Sequence, residues 1–116
     1  MIEVVKVSEK GKSQLAKLKK HTGVDNWNVL CRWALCASLA EDSVPPFEEI
    51  KLDSNIEMTW KTFAGKHDSL YLSLMKQRLN NDSIPQEEIA LWFSIHLHRG
   101  VSYLVKSWVS PSDFPS

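Results

Sequence analysis

The chain has 116 residues, 43% of them hydrophobic, and its formal net charge is zero. This length and composition predict a single globular domain and exclude an intrinsically disordered chain. No apolar stretch reaches the roughly 20 residues that a membrane-spanning helix needs. Because Glu3 and Lys6 interrupt the first residues, we expect no signal peptide and a cytoplasmic location.

The charges are distributed unevenly along the chain. Residues 1–40 carry seven basic and three acidic side chains, a net charge of +4. Residues 41–116 carry seven basic and eleven acidic side chains, a net charge of −4. This polarity suggests an anionic partner for the N-terminal third of the chain.

The first elements in chain order are a strand and a helix. The β-branched run IEVVKV, residues 2–7, predicts a short strand. Ser8 is placed to cap a helix over residues 10–22, and Gly23 is placed to end it. A second helix follows within the first 40 residues.

This order of strand, helix and helix is the layout of ribbon-helix-helix proteins. In that layout strands from two protomers pair into a ribbon, and the second helices pack together in the dimer core. In a ribbon of this kind Val5 and Val7 would point inward, and the outward side chains would be those of Ile2, Val4 and Lys6.

The second helix, NWNVLCRWALCASLA from Asn26 to Ala40, has apolar residues on every side. A helix that is apolar all round must be buried all round. We predict that copies of the chain bury this helix against each other, and the C-terminal half of the same chain can also contribute. Arg32 needs a partner if buried, for which Glu57 and Asp53 are candidates. The expected interface residues are Trp27, Leu30, Trp33, Ala34 and Ala37.

The middle of the chain predicts a loop and then more helix. Residues 41–57 are linker-like, because the adjacent Pro45 and Pro46 exclude helix there. The stretch IEMTWKTFAG leaves strand and helix both open. A helix is expected over residues 68–79, with an apolar side formed by Leu70, Leu74 and Met75.

A last helix is expected near the C-terminus. Ser83 is its predicted N-cap, Pro85 follows early, and two glutamates occupy the first turn, where they suit the helix dipole. The helix runs to Gly100 and continues for a turn or two, and residues 110–116 form a tail. The fold class is therefore mainly α, with the N-terminal strand and two helices arranged as in ribbon-helix-helix proteins, in a homo-oligomer.

The basic residues at the start of the chain are mostly lysines, and they lie close together in the sequence. A solvated lysine face is the ordinary explanation, and neutralisation of phosphates along a DNA backbone is the functional one. Readout of bases is not favoured, because the outward ribbon face offers only Lys6 to a base edge and Asp25 would oppose a phosphate near the second helix. The candidate DNA-binding residues are Lys6, Lys10, Lys12, Lys17, Lys19 and Lys20.

The sequence lacks the common motifs of catalytic sites. It contains no glycine-rich phosphate loop and no GxSxG, HExxH or CxxC motif. Cys31 and Cys36 are expected to be reduced core thiols. His96 and His98 would point about 200° apart on a helix, so we expect no metal site, no cofactor and no catalytic residues.

Other residues leave alternatives open. Arg99 can cap carbonyl groups at a helix end or contact phosphate, and Arg32 and Arg78 are equally ambiguous. The tryptophans can stack on unpaired bases, although their apolar neighbours favour packing in the core or an interface. They are Trp27, Trp33, Trp60, Trp92 and Trp108.

The stretches KGKSQLAKLKKHTG, NWNVLCRWALCASLAE, SNIEMTWKTFAG, MKQRL and HLHRG occur in this order. Together they resemble the DndE family of DNA phosphorothioation proteins over almost the whole chain. The resemblance implies one DndE-like domain over residues 1–116. Its parts are a ribbon-helix-helix-like segment (1–40), a loop (41–57), a mostly helical segment (58–109) and the tail.

The resemblance also implies a function. The chain would be a non-catalytic subunit of a bacterial restriction-modification type of system that replaces a non-bridging phosphate oxygen with sulfur. It would form a tetramer and bind duplex DNA, preferably nicked, through surface lysines, while a cysteine desulfurase, an iron–sulfur sulfurtransferase and an ATPase supply the chemistry. The alternatives are a scaffold without DNA affinity, a nicking nuclease that uses carboxylates such as Asp53, Glu57 and Asp68, and a ribbon-type transcriptional regulator.

Overall fold

The structure, a computed structural model, describes residues 2–108, so the predicted tail lies outside the described residues. These residues form two short strands and five α-helices, with a single 3₁₀ turn before α4 and another before α5. The strands are β1 (Val4–Lys6) and β2 (Glu57–Thr59), and the helices are α1 (Glu9–Thr22), α2 (Trp27–Leu39), α3 (Trp60–Ala64), α4 (Asp68–Asn81) and α5 (Ile89–Trp108). The mainly helical fold class is confirmed.

Helix α1 begins and ends where its capping residues predict. The Ser8 hydroxyl accepts a hydrogen bond from the Gly11 N–H, which satisfies one donor of the first turn. Gly23 adopts a left-handed conformation, with φ of 75°, and its N–H donates to the Lys19 carbonyl. Leu15 and Leu18 turn one side of the helix into the core.

The N-terminal strand finds its partner within the chain. β1 pairs antiparallel with β2, with Val5 opposite Met58. The pairing that we expected between two protomers is thus made here by one chain, because residues 40–56 lead the chain back alongside β1. Val5 and Val7 are buried as predicted. Ile2 was expected to point outward, but it is also buried, whereas Val4 and Lys6 are exposed.

Helix α2 packs chiefly against α5 of the same chain. Gly100 of α5 lies against Ala34, so close that a Cβ at Gly100 would overlap the Ala34 carbonyl group. Leu30 and Ala34 are completely buried within one chain. They have no surface to offer a second copy, so their assignment to an interface is corrected to the core of the single chain.

The opposite side of α2 is not covered in the single chain. Trp33 is 40% exposed and Cys36 is exposed, while Val29 and Ala37 are half-buried. We call Val29, Trp33, Cys36 and Ala37 the apolar face of α2. The alternative in which the C-terminal half covers the helix therefore accounts for one side of α2 only.

The stretch left open between strand and helix contains both, since it forms β2 and then α3. Helix α4 has the expected position, but its buried residues are Met75, Arg78 and Leu79. Leu70 and Leu74 are exposed, so the predicted apolar side was wrong in these two residues. Arg78 takes a place on the core side because its guanidinium group binds carbonyl oxygens of the loop after α2.

Ser83 closes α4 rather than capping α5. Its φ of 58° is left-handed, and its N–H donates to the carbonyl of Asn80. The 3₁₀ turn Gln86–Glu88 intervenes before α5 begins, so the predicted cap was wrong. α5 continues through Gly100 as expected.

Candidate nucleic-acid interface

Five lysines lie along α1, on two sides of the helix. Lys10, Lys17 and Lys20 share one side and are exposed, whereas Lys12 and Lys19 share another side and are half-buried. We call these five residues the lysine face. Between its first and last members the helix rises about 15 Å, a length over which duplex DNA presents several phosphates.

Most of the lysine face carries uncompensated charge. Among residues 2–108, no carboxylate lies within ion-pairing distance of Lys10, Lys12, Lys17 or Lys20. Lys6 of β1 differs, because its Nζ lies 3.4 Å from Oε1 of Glu57. The structure thus separates Lys6, which already has an anionic partner, from the other predicted DNA-binding residues.

The three arginines left ambiguous by the sequence bind backbone carbonyls. Arg32 Nη1 donates to the Phe63 carbonyl at 2.8 Å. The carboxylates expected to pair with Arg32, those of Glu57 and Asp53, are engaged elsewhere, by Lys6 and by the backbone N–H of Glu9. The expectation of a carboxylate partner for Arg32 was therefore wrong.

Arg78 and Arg99 bind the C-terminal end of α2 and the loop that follows. Arg78 donates to the carbonyls of Leu39, Glu41 and Ser43 and forms an ion pair with Asp82. Arg99 donates to the carbonyls of Ser38 and Ser43 and to the Ser38 hydroxyl. Arg99 therefore caps a helix end, but that of α2 rather than of its own helix.

His96 and His98 have separate structural partners. Nδ1 of His96 lies 2.8 Å from the Ser38 hydroxyl, and burial lowers the pKa of His96 to about 4, helped by Arg78 and Arg99. Nδ1 of His98 donates to the Ser94 carbonyl, which leaves Nε2 to accept from the Ser8 N–H at 3.1 Å. Burial also lowers the pKa of His98. In the described part of the chain no group of three or more metal-ligating side chains occurs.

The thiols do not form a reactive pair. Cys31 and Cys36 are both free, the first buried and the second exposed. Burial raises the pKa of Cys31 to about 12 and also raises that of Cys36. Both side chains are therefore neutral thiols at pH 7, and a thiol is a poor nucleophile compared with a thiolate.

The five tryptophans occupy three different environments. Trp60 and Trp92 belong to the core. Trp33 and Trp108 stack on each other with ring centroids 6.2 Å apart, and both remain exposed to solvent. Trp27 is half-buried, and Lys19 Nζ lies 5.1 Å from the centroid of its ring.

A groove of about 490 Å³ opens where α1, α2 and β2 come together. We call it the Trp27 groove. Lys12 of the lysine face lines it, and Asp25, which we expected to oppose a phosphate, lies on its wall. Three asparagines from two distant segments also line it: Asn26, Asn28 and Asn55. The sequence signals Asn26 and Asn28 only as residues at a helix start, and nothing local brings Asn55 beside them.

No helix in residues 2–108 combines the length and hydropathy that a membrane span requires. The described molecule is a small helical domain with a basic helix on its surface.

Two crystal structures share this fold. One is that of DndE from Escherichia coli B7A, involved in DNA phosphorothioation modification, with a TM-score of 0.74 and 22% identity over 90% of this chain and 98% of that one. The other is a glycine-to-lysine mutant of DndE involved in DNA phosphorothioation, with a TM-score of 0.70 and 19% identity over 91% and 99% of the two chains. No curated protein matches the chain in sequence.

The family model of the DNA sulphur modification protein DndE matches residues 4–112. The chain therefore belongs to the DndE family, and the resemblance seen in its sequence is confirmed. As a member of this family it is a component of the DNA phosphorothioation system.

Proposed function

We propose that this chain is a non-catalytic DNA-binding subunit of the bacterial phosphorothioation system, and that it holds duplex DNA through the lysine face. The observation that carries this proposal is the exposure of Lys10, Lys17 and Lys20 on one helix without carboxylate partners. Each lysine that neutralises a phosphate releases condensed counterions, so such a helix gains affinity for any duplex.

The contacts suit the DNA backbone rather than the bases. A lysine ammonium is a flexible point charge, which attracts phosphate but carries little sequence information. Of the exposed side chains of β1, Val4 has no hydrogen-bonding group and Lys6 is engaged by Glu57. A rigid basic surface also favours DNA that bends at low cost, and this property supports the proposal that nicked duplex is preferred.

Assembly into a tetramer is part of the proposal. The apolar face of α2 and the stacked pair Trp33 and Trp108 leave apolar surface in contact with water. Exposed apolar surface of this kind is typical of protein–protein contacts. A second copy would cover it and bring another lysine face to the same DNA, which adds phosphate contacts. Ala37, which is half-buried on this face, remains a candidate for the contact, whereas Trp27 lines a separate groove and is no longer proposed for it.

The proposal is tested by a salt titration of duplex binding. We expect the association constant to fall steeply as salt rises, and Lys17→Ala and Lys20→Ala each to reduce the slope of log K against log[salt] by about 1. The loss should be similar for unrelated duplex sequences. Lys76→Ala is the matched control, because Lys76 is also an exposed helical lysine but lies on α4, which packs on α3 and α5. A salt-independent constant, or equal losses in the control, would contradict the proposal.

A scaffold that joins the sulfurtransferase, the ATPase and the cysteine desulfurase is the second candidate. It is favoured by exposed apolar side chains outside α2, including Phe47, Leu70 and Leu74. This function predicts no DNA affinity and tolerance of the lysine substitutions, so the same titration distinguishes it.

A nicking nuclease is not favoured by the geometry. Asp53 accepts from the Glu9 N–H, Glu57 pairs with Lys6, and Asp68 accepts from the Ser69 N–H. Each of these carboxylates has a local partner, and the three do not converge. Supercoiled plasmid incubated with the clean protein and Mg²⁺ should therefore stay supercoiled.

A further inference from the structure

We propose that the Trp27 groove is a binding site for an unpaired nucleobase of the DNA that the lysine face holds. This inference rests on the proposed function, because the lysine face must first bring DNA to the groove. The two surfaces are continuous, since Lys12 belongs to the lysine face and also lines the groove. A strand whose phosphates contact Lys12 and Lys19 therefore passes the mouth of the groove.

The size and the floor of the groove suit a planar heterocycle. Its volume of about 490 Å³ lies within the range of sites for small organic ligands. Ile56, Met58 and the indole of Trp27 line it with apolar surface. Because every base has a π-face, a base can stack on the half-buried indole in place of the Lys19 ammonium that lies over the ring in the free chain.

The polar groups of the groove suit the edge of a base better than a phosphate. The side chains of Asn26 and Asn55 form no hydrogen bond within residues 2–108, so both amides are free to donate and to accept. Asn28 uses only its Nδ2, as a donor to the Thr62 carbonyl at 3.3 Å, which leaves its own carbonyl oxygen free.

The carboxylates on the groove wall narrow the choice of ligand further. Asp25 and Glu57 line the same groove, and both would repel an anion. A carboxylate accepts hydrogen bonds from the N–H groups of a base, such as the exocyclic amino group of cytosine or the ring N3–H of thymine. The mixture of free amides, carboxylates and an indole thus matches a neutral, hydrogen-bonding ring, while the phosphates on either side of it would be held by Lys12 and Lys19.

Lys19 connects the two parts of the site. Its Nζ lies 5.1 Å from the centroid of the Trp27 ring, so the charge is held beside a residue that lines the groove. A nucleotide that stacks in the groove would place its own phosphate beside this ammonium. The ligand class is therefore a nucleotide outside the base stack, as at a flap, a gap or a frayed end, and an intact duplex does not offer one.

The experiment compares three duplexes: one fully paired, one with a short single-stranded thymidine flap, and one with the same flap built from abasic nucleotides, so that the two flapped duplexes carry the same charge. We expect the wild-type chain to bind the thymidine flap about 10-fold more tightly than the abasic flap, which corresponds to one stacked base. Trp27→Ala should abolish this difference, while binding to paired duplex should persist because it rests on Lys10, Lys17 and Lys20. Trp27→Phe, which keeps an aromatic face, should retain most of it.

Asn55→Ala is the second variant, because Asn55 is exposed and its side chain forms no hydrogen bond within the described chain. It should reduce the preference for the thymidine flap without an effect on folding. The inference would be overturned if the wild type bound thymidine and abasic flaps with equal affinity. It would also be overturned if the preference persisted in both Trp27→Ala and Asn55→Ala. In either case, binding to paired duplex would still support the proposed function. Absence of binding to all three duplexes would overturn both.

Discussion

The end of α2 illustrates how single residues shape this fold. The last carbonyl groups of a helix have no partners within it, and here Arg78 and Arg99 provide donors from two other helices. Their positive charges also lie at the negative end of the helix dipole. The arrangement places two guanidinium groups close to the buried ring of His96, whose Nδ1 bonds the same serine hydroxyl as Arg99. Neutral His96 is therefore part of this helix terminus.

We predict that stability falls with acidity because of His96. Its pKa is about 4 in the folded chain and 6.5 ordinarily, so between these values the unfolded chain binds the extra proton. The free energy of unfolding therefore has its full value above pH 6.5. It decreases as the pH falls towards 4, by roughly 3 kcal/mol in all. The lowered pKa of His98 acts in the same direction. Urea unfolding measured from pH 4 to pH 8 gives this profile.

The variant His96→Gln cannot titrate and should flatten a large part of that profile. His67→Gln is the matched control, because His67 is exposed on the surface. If His96→Gln keeps the full dependence of the wild type on pH, the assignment to His96 is wrong.

The pair α2 and α5 is the central contact between elements. Gly100 has no side chain, and this lets the two helix backbones approach at Ala34. From helix propensity alone, alanine at position 100 would be better than glycine by about 1 kcal/mol. The close approach reverses this preference. The atoms that an added Cβ would meet belong to the backbone of α2, which cannot move away by rotating as a side chain can.

We predict that Gly100→Ala lowers the free energy of unfolding by about 3 kcal/mol or more, since the two helices must move apart and lose packing. Ser107→Ala, an exposed position on the same helix, should change it by less than about 0.5 kcal/mol. Chemical denaturation of both variants measures the difference. A neutral or stabilising Gly100→Ala would show that the helices are not in close contact at Ala34.

At the scale of the whole molecule, the surface divides into parts of different chemistry. The lysine face is basic, the apolar face of α2 is uncharged, and the Trp27 groove lies near the start of α2 beside α1. A tetramer that covers the apolar face would leave the lysines of all copies on the outside. This arrangement fits a protein that binds a long polyanion rather than a small substrate.

We predict that Trp33→Glu converts the assembly into folded monomers. Trp33 is 40% exposed in the single chain, so a charged side chain there is tolerated by the fold but not by an apolar contact between copies. Light scattering measures the mass, and circular dichroism checks that the helices persist. Leu70→Glu is the matched control at an exposed apolar position on α4, and its mass should equal that of the wild type. A monomeric wild-type chain at working concentration would contradict the proposed assembly.

The sequence by itself determined the local features of this protein. Ser8 and Gly23 set the bounds of α1, because the cap contacts that they make span only three or four positions of the chain. The spacing of Leu15 and Leu18 then decided which side of α1 is buried, and so which side presents the lysines. The family resemblance could also be recognised from the sequence, and the match of the DndE family model to residues 4–112 confirmed it.

Only the tertiary structure decided the partners of residues that are far apart in the chain. Arg32 reaches a carbonyl 31 positions away, and Arg99 reaches Ser38 across 61 positions. The burial of Ile2, the exposure of Leu70 and the placement of Asn55 and Trp27 in one groove depend in the same way on how distant segments pack. Periodicity and capping involve neighbours within about one helical turn, and for this reason they could not determine which distant segment each side chain meets.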